Sequence, residues 1–77
     1  RVYTNRLTKA EFVECLWDVI EGQSYAELSE RVPYKVPYLS TKLRIIAKEL
    51  GVEGELDASI LKQRQERARV NGVKSNG

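Results

Sequence analysis

Histidine and methionine are absent from this chain of 77 residues, and cysteine, tryptophan and phenylalanine occur once each. Without histidine the chain lacks the commonest metal ligand and the side chain that titrates near neutral pH. A lone cysteine, Cys15, cannot close an internal disulfide, and its place among apolar neighbours points to packing rather than redox chemistry. These gaps weigh against an enzyme: the expectation is no catalytic residue, no metal and no cofactor. No apolar run approaches the roughly 20 residues that span a bilayer. Nor does a charged start lead into the apolar block of a signal peptide, so the expected place is the cytoplasm, with no membrane partner. Acids are missing from one long stretch, Arg31 through Lys48, although the chain carries 11 of them.

The hydrophobic fraction of 42% and the charged fraction of 31% are those of an ordinary globular chain rather than a disordered one. The length allows one domain. Net charge is only +2, but it is unevenly spread. Residues 1–59 hold eight basic and ten acidic side chains, whereas residues 60–77 hold five basic residues against the single acid Glu66. A segregated charge of this kind is a surface-binding footprint.

Residues 1–6 carry neither helical nor strand periodicity and are expected to form a flexible arm. A domain is then expected over residues 7–70, with a disordered tail at 71–77. The first helix signal is Leu7-Thr8-Lys9-Ala10-Glu11-Phe12. Thr8 and Glu11 have the spacing of a capping box, and Leu7 and Phe12 that of a hydrophobic staple. Phe12, Leu16, Val19 and Ile20 share a face, and Gly22 is placed for a left-handed stop. Ser24-Tyr25-Ala26-Glu27 repeats the capping box and opens a short helix with Leu28 and Val32 inward and Pro33 at its end. Ala26 offers a small surface that another helix could approach. After a linker at Gly54, Asp57 caps a fourth, basic helix that docks by its first turn and then projects, with a stop at Asn71-Gly72. No alternation of period two survives inspection, so the expected fold is all-α: a three-helix core plus a C-terminal basic helix.

The stretch from Tyr34 to Val52 carries most of the functional signal. Leu39, Leu43, Ile46 and Leu50 recur at spacings that place them on one helical stripe. Pro37 fits the first turn, where its missing N–H is not needed, and Gly51 with Val52 fits a Schellman ending. Pro37, Ser40, Thr41, Arg44 and Lys48 fall on the opposite stripe, which is polar and basic. A short helix, a turn and a longer helix with such a face is the helix-turn-helix arrangement, whose second helix lies in the major groove of DNA. The expected recognition helix is about 37–50. Ser40, Thr41 and Arg44 are the candidate base-reading residues; Arg44 has the donors to bind guanine in two places. Lys35, Lys42 and Lys48 are placed for phosphates, with Ser24 and Tyr25 at a helix start and Tyr38 through its hydroxyl.

Several landmarks fall together in this chain: Leu7-Thr8 with Glu11, Gly22 before the second helix, Glu27-Leu28-Ser29, Leu39, and Leu50-Gly51-Val52. With them, Leu7 to Val52 resembles the DNA-binding domain of LuxR-type (GerE-type) regulators, the output domain of many NarL-like response regulators. Region 4 of sigma factors has similar helix spacing. The resemblance implies a bacterial or phage regulator of transcription, associated with the nucleoid when bound, whose partner is double-stranded DNA. It also puts the base-reading positions on Ser40, Thr41 and Arg44. It further implies a homodimer contact on the fourth helix, Asp57 to about Val70, for which Leu56, Ile60 and Leu61 are the apolar candidates. The chain departs from the family pattern at Pro33 and Pro37, and at Lys42, where the family often has histidine. The alternative is a protein-interaction module on the same scaffold, to which Tyr25, Tyr34 and Tyr38 would lend an aromatic interface.

Overall fold

The structure, a computed structural model, describes residues 2–76, with side chains through residue 70. Arg1 and Gly77, and with Gly77 the end of the expected tail, lie outside the described residues. Four α-helices follow one another: α1 (Lys9–Ile20), α2 (Tyr25–Ser29), α3 (Val36–Leu50) and α4 (Ala58–Asn76), with a 3-10 turn at Glu53–Leu56 between the last two. No strand occurs among the described residues, and none of the helices is long and apolar enough to cross a membrane. The fold is all-α.

Three of the four α-helices start where a side chain can satisfy their open amide groups. At α1 the Thr8 hydroxyl accepts from the Glu11 N–H at 3.2 Å, and the Glu11 carboxylate accepts from the Thr8 N–H at 2.8 Å. Leu7 and Phe12 are both buried beside this box, completing the staple. At α2, Ser24 and Glu27 form the same reciprocal pair. At α4 the Asp57 carboxylate accepts from the Ser59 and Ile60 N–H groups. Only α3 begins without a side-chain cap: Lys35 is its N-cap residue, and Pro37 lies in the first turn. The fixed φ of proline pre-sets that turn and removes one donor that would otherwise need a partner.

Two glycines close helices in matching fashion. Gly22 N–H donates to Val19 O and Gln23 N–H to Asp18 O; Gly51 N–H donates to Lys48 O and Val52 N–H to Ala47 O. These are the paired bonds of the Schellman motif, and they require positive φ at the glycine, here +126° and +74°.

The core joins Phe12, Cys15, Leu16, Val19 and Ile20 of α1 with Leu28, Val32, Leu39, Leu43, Ile46 and Ala47, and with Leu7 and Leu61. Leu16, Leu28, Leu39 and Leu43 expose nothing, and truncating any one to alanine would cost on the order of 2–5 kcal/mol. Cys15 is 1% exposed and unpaired. Burial pushes its thiol above the usual range, while Arg31 pulls weakly the other way.

Several expectations are corrected. The α2 helix ends at Ser29, ahead of Pro33. The Ser29 hydroxyl donates back to Ala26 O at 2.7 Å, and the Arg31 guanidinium is drawn to Asp18 and Gln23, which pulls the chain toward α1. Ala26 is exposed, with no helix over it. Leu50 is 46% exposed although it lies on the apolar stripe, because it falls at the last turn, past the elements that cover Ile46. The arm is docked through Tyr3, whose N–H donates to Arg31 O at 2.7 Å and whose hydroxyl donates to Glu14 at 3.1 Å. The α4 helix continues through Asn71-Gly72 to Asn76; the intrinsic penalty of one glycine, about 1 kcal/mol, is too small to end a helix by itself.

The largest correction concerns how α4 docks. Its attachment reaches well beyond the first turn. Leu61 enters the core, Arg64 donates to Ile20 O at 2.9 Å and pairs with Glu55 at 2.6 Å, and the backbone at Arg64 and the side chain of Ala68 lie over Gly22. Arg64 thus places positive charge at the carboxyl end of α1, where the helix dipole favours it. A β-carbon on Gly22 would sit 2.8 Å from the Arg64 carbonyl oxygen, whereas one on Gly51 would meet nothing within 4 Å. Gly51→Ala is therefore expected to cost about 1–2 kcal/mol for conformation alone, and Gly22→Ala to cost clearly more because α4 must also shift. Urea unfolding of the two variants, followed by circular dichroism, checks the order; equal losses would contradict it.

Candidate nucleic-acid interface

With Leu39, Leu43, Ile46 and Ala47 turned inward, the 100° step of the helix decides which α3 side chains face out. Pro37, Thr41, Arg44 and Lys48 are exposed on one stripe, and Ser40 lies half-buried at its edge. The α2 helix packs across the inner side of α3, so the two are held as one unit with a turn of residues 30–35 between them.

The three expected base-reading residues do share this stripe, though not equally. Thr41 and Arg44 are open, whereas the Ser40 hydroxyl donates to Pro37 O at 3.2 Å, leaving it an acceptor more than a donor. Arg44 stands close enough to Tyr25 for its charge to act on the phenol. Burial raises the Tyr25 pKa above its ordinary value, and Arg44 opposes that rise.

The expected phosphate contacts divide. Lys35 and Lys48 are exposed at the two ends of α3, and no ion pair engages either among the described residues. Lys42 departs from the expectation: it is half-buried, with its ammonium 5.4 Å from the centroid of the Phe12 ring. Its position, about 160° around the helix from Arg44, points it toward α1, where the ring face attracts the cation. Ser24 also departs from it. Both its N–H and its hydroxyl are engaged by the Glu27 carboxylate, at 3.2 and 3.0 Å. An acid held at that helix start occupies the place a phosphate would take and repels it.

Two features of this surface escaped the sequence reading. Tyr34 is the middle ring of a ladder: its centroid lies 5.4 Å from Phe12 and 4.8 Å from Tyr38, the latter in a near-parallel stack, and its hydroxyl accepts from Leu7 N–H at 3.1 Å. The ladder holds Tyr38, 49% exposed, against rigid support. Ile45, two turns further along the same stripe, is 52% exposed. Helical periodicity alone marks Ile45 as outward, since it follows Thr41 by four and precedes Lys48 by three; the bracing of Tyr38 on the same stripe needs the tertiary structure.

The other charged contacts are structural. Lys9 joins α1 to α3 by pairing with Glu49 at 2.8 Å, and Arg31 and Arg64 are held by Asp18 and Glu55. Lys9, through its hydrogen bond first and its charge second, holds the Glu49 carboxyl below the usual range. The homodimer candidates are likewise altered: Leu61 is buried in its own chain's core, while Leu56, which packs against that core, and Ile60 are each only partly open.

No protein-family model, no curated protein and no solved structure matches the chain, so the reading of this surface rests on its own residues.

The capping role of Ser24 has a measurable signature. Hydrogen bonds from the Ser24 backbone and hydroxyl hold the Glu27 carboxyl below its ordinary value of 4.5. A depressed folded-state pKa means that the stabilisation is complete above the unfolded value and is lost as pH falls through the lowered one. Ser24→Ala should therefore cost about 1 kcal/mol at neutral pH and less in acid, where the hydroxyl's bond to the Glu27 carboxylate is lost but the cap bond it accepts from the Glu27 N–H persists. Chemical unfolding at pH 7 and pH 3 checks this; a loss that is the same at both pH values would show that the box contributes nothing through charge.

Proposed function

We propose that the chain is the DNA-binding domain of a transcriptional regulator, with α3 laid along the major groove of double-stranded DNA and α2 crossing the backbone. The observation that carries this reading is the outward stripe Pro37, Thr41, Arg44 and Lys48, exposed along a segment without acids, with its two cations engaged in no ion pair among the described residues. A groove about 12 Å wide admits one helix. In that setting Arg44 reads a base edge, Thr41 touches its neighbour, and Lys35 and Lys48 meet phosphates before and beyond them. The domain performs no chemistry; its action is occupancy of a site. If two copies act on a two-fold site, their contact must be built without Leu61, which serves the core.

A second reading, a protein-interaction module, is favoured by one observation, the exposure of Tyr38 and Ile45 two helical turns apart on one stripe of α3. Loss of a captured partner on Tyr38→Ala, with DNA affinity unchanged, would support that reading.

For the DNA reading, Arg44→Ala should weaken the preferred site by about 1–3 kcal/mol and relax preference at one base pair. Lys48→Ala should weaken all sequences alike and reduce the salt slope by about 1. Titration of a labelled duplex at two salt concentrations measures both, and an absence of salt-sensitive binding at low ionic strength would sink the proposal.

A further inference from the structure

Resting on the major-groove reading, we infer that α3 recognises thymine methyl groups through a second, apolar edge formed by Tyr38, Thr41 and Ile45, so that its target carries thymines at neighbouring steps. These three residues stand at i, i+3 and i+7, one side chain wide, immediately beside the Arg44–Lys48 stripe. Tyr38 and Ile45 are 49% and 52% exposed, the largest apolar exposures on the outward side of α3. Seven residues of helix span about 10.5 Å, close to three steps of a DNA strand at about 3.4 Å each. The C5-methyl of thymine is the apolar group that base edges present in the major groove, and a γ-methyl of threonine, an isoleucine side chain and a tyrosine ring are surfaces suited to cover it.

Charge and support favour DNA over a protein as the occupant of this edge. Lys35, Arg44 and Lys48 flank it without opposing acids, and the one acid near its far end, Glu49, is paired with Lys9 at 2.8 Å. The Tyr38 ring is braced by Tyr34, and Tyr34 by Phe12, so its placement is set before any ligand arrives. A strip one residue wide suits the floor of a groove, whereas a stable protein interface needs on the order of 800 Å² from each partner.

The test uses a random-sequence duplex pool to select a bound sequence, which is then synthesised with thymine and with 2′-deoxyuridine at every thymine position. Base pairing and charge are unchanged; only the methyl groups are removed. Burial of each methyl is worth about fourfold in affinity, so two covered methyls predict a deoxyuridine duplex weaker by about 15-fold. Ile45→Ala and Tyr38→Ala should each shrink that ratio toward one while leaving the salt slope intact, with helicity checked by circular dichroism. Ile45→Ala disturbs no packed neighbour of the ladder and keeps the test valid should Tyr38→Ala unfold. Salt-sensitive binding that treats thymine and deoxyuridine alike overturns the inference and leaves the groove reading standing. A ratio unchanged in both variants also overturns it, by assigning the methyl contact elsewhere. Failure to bind any duplex at low salt overturns both, and transfers the apolar edge to a protein partner.

Discussion

The close approach of α4 to Gly22 is the constraint on which the arrangement of helices depends. At this one residue α1 must stop, the chain must reverse so that Ser24 can begin α2 two residues later, and the fourth helix must pass with its Arg64 carbonyl where a side chain would otherwise stand. Positive φ and a missing β-carbon are needed together, and glycine alone supplies both without strain. Arg64 reinforces the junction by donating to the exposed carbonyl of Ile20, converting the end of α1 into a contact for α4. The position of α2 on α3, and therefore the direction in which α3 presents its outward stripe, follows from this junction.

A second organising feature is the sorting of cations. Lys9, Arg31 and Arg64 are tied to Glu49, Asp18 and Glu55, each across a boundary between elements. Exposed pairs of this sort contribute at most about 1 kcal/mol each, so their value lies in alignment more than in stability. Lys42 is turned onto the Phe12 ring. What remains unpaired on α3 is Lys35, Arg44 and Lys48, a smaller basic surface than composition suggests, but one spread along the whole helix. The same sorting lowers the basic character of α4, whose first arginine, Arg64, serves packing.

Apolar exposure on α3 has two distinct origins. Leu50 is open at the end of the helix, although Ala47 in the same turn is buried, while Tyr38 and Ile45 are open because they stand on the outward side and one of them is braced from below. Only the second kind is a supported surface. It lies beside the cations, which makes the outer side of α3 two parallel ribbons, one charged and one apolar, in place of the single basic face that charge counting suggests.

Local chemistry in the sequence determined the helix starts at Thr8, Ser24 and Asp57, the glycine stops after α1 and α3, and the inward stripe of Leu39, Leu43 and Ile46. Each depends on groups within about five residues of one another, or on a period of 3.6, and both are visible in a linear text. The exposure of Thr41, Arg44 and Lys48 followed from the same period. Tertiary structure alone decided that Lys42 turns to Phe12, that Phe12 supports Tyr34 beneath Tyr38, that Tyr3 ties down the arm, and that Leu61 and Arg64 belong to the core and its edge. Apart from the stack of Tyr34 on Tyr38, which are four residues apart, these contacts join residues far apart in the chain. Their partners are selected by packing, and no local spacing encodes which of several equivalent lysines or tyrosines will be the one drawn in.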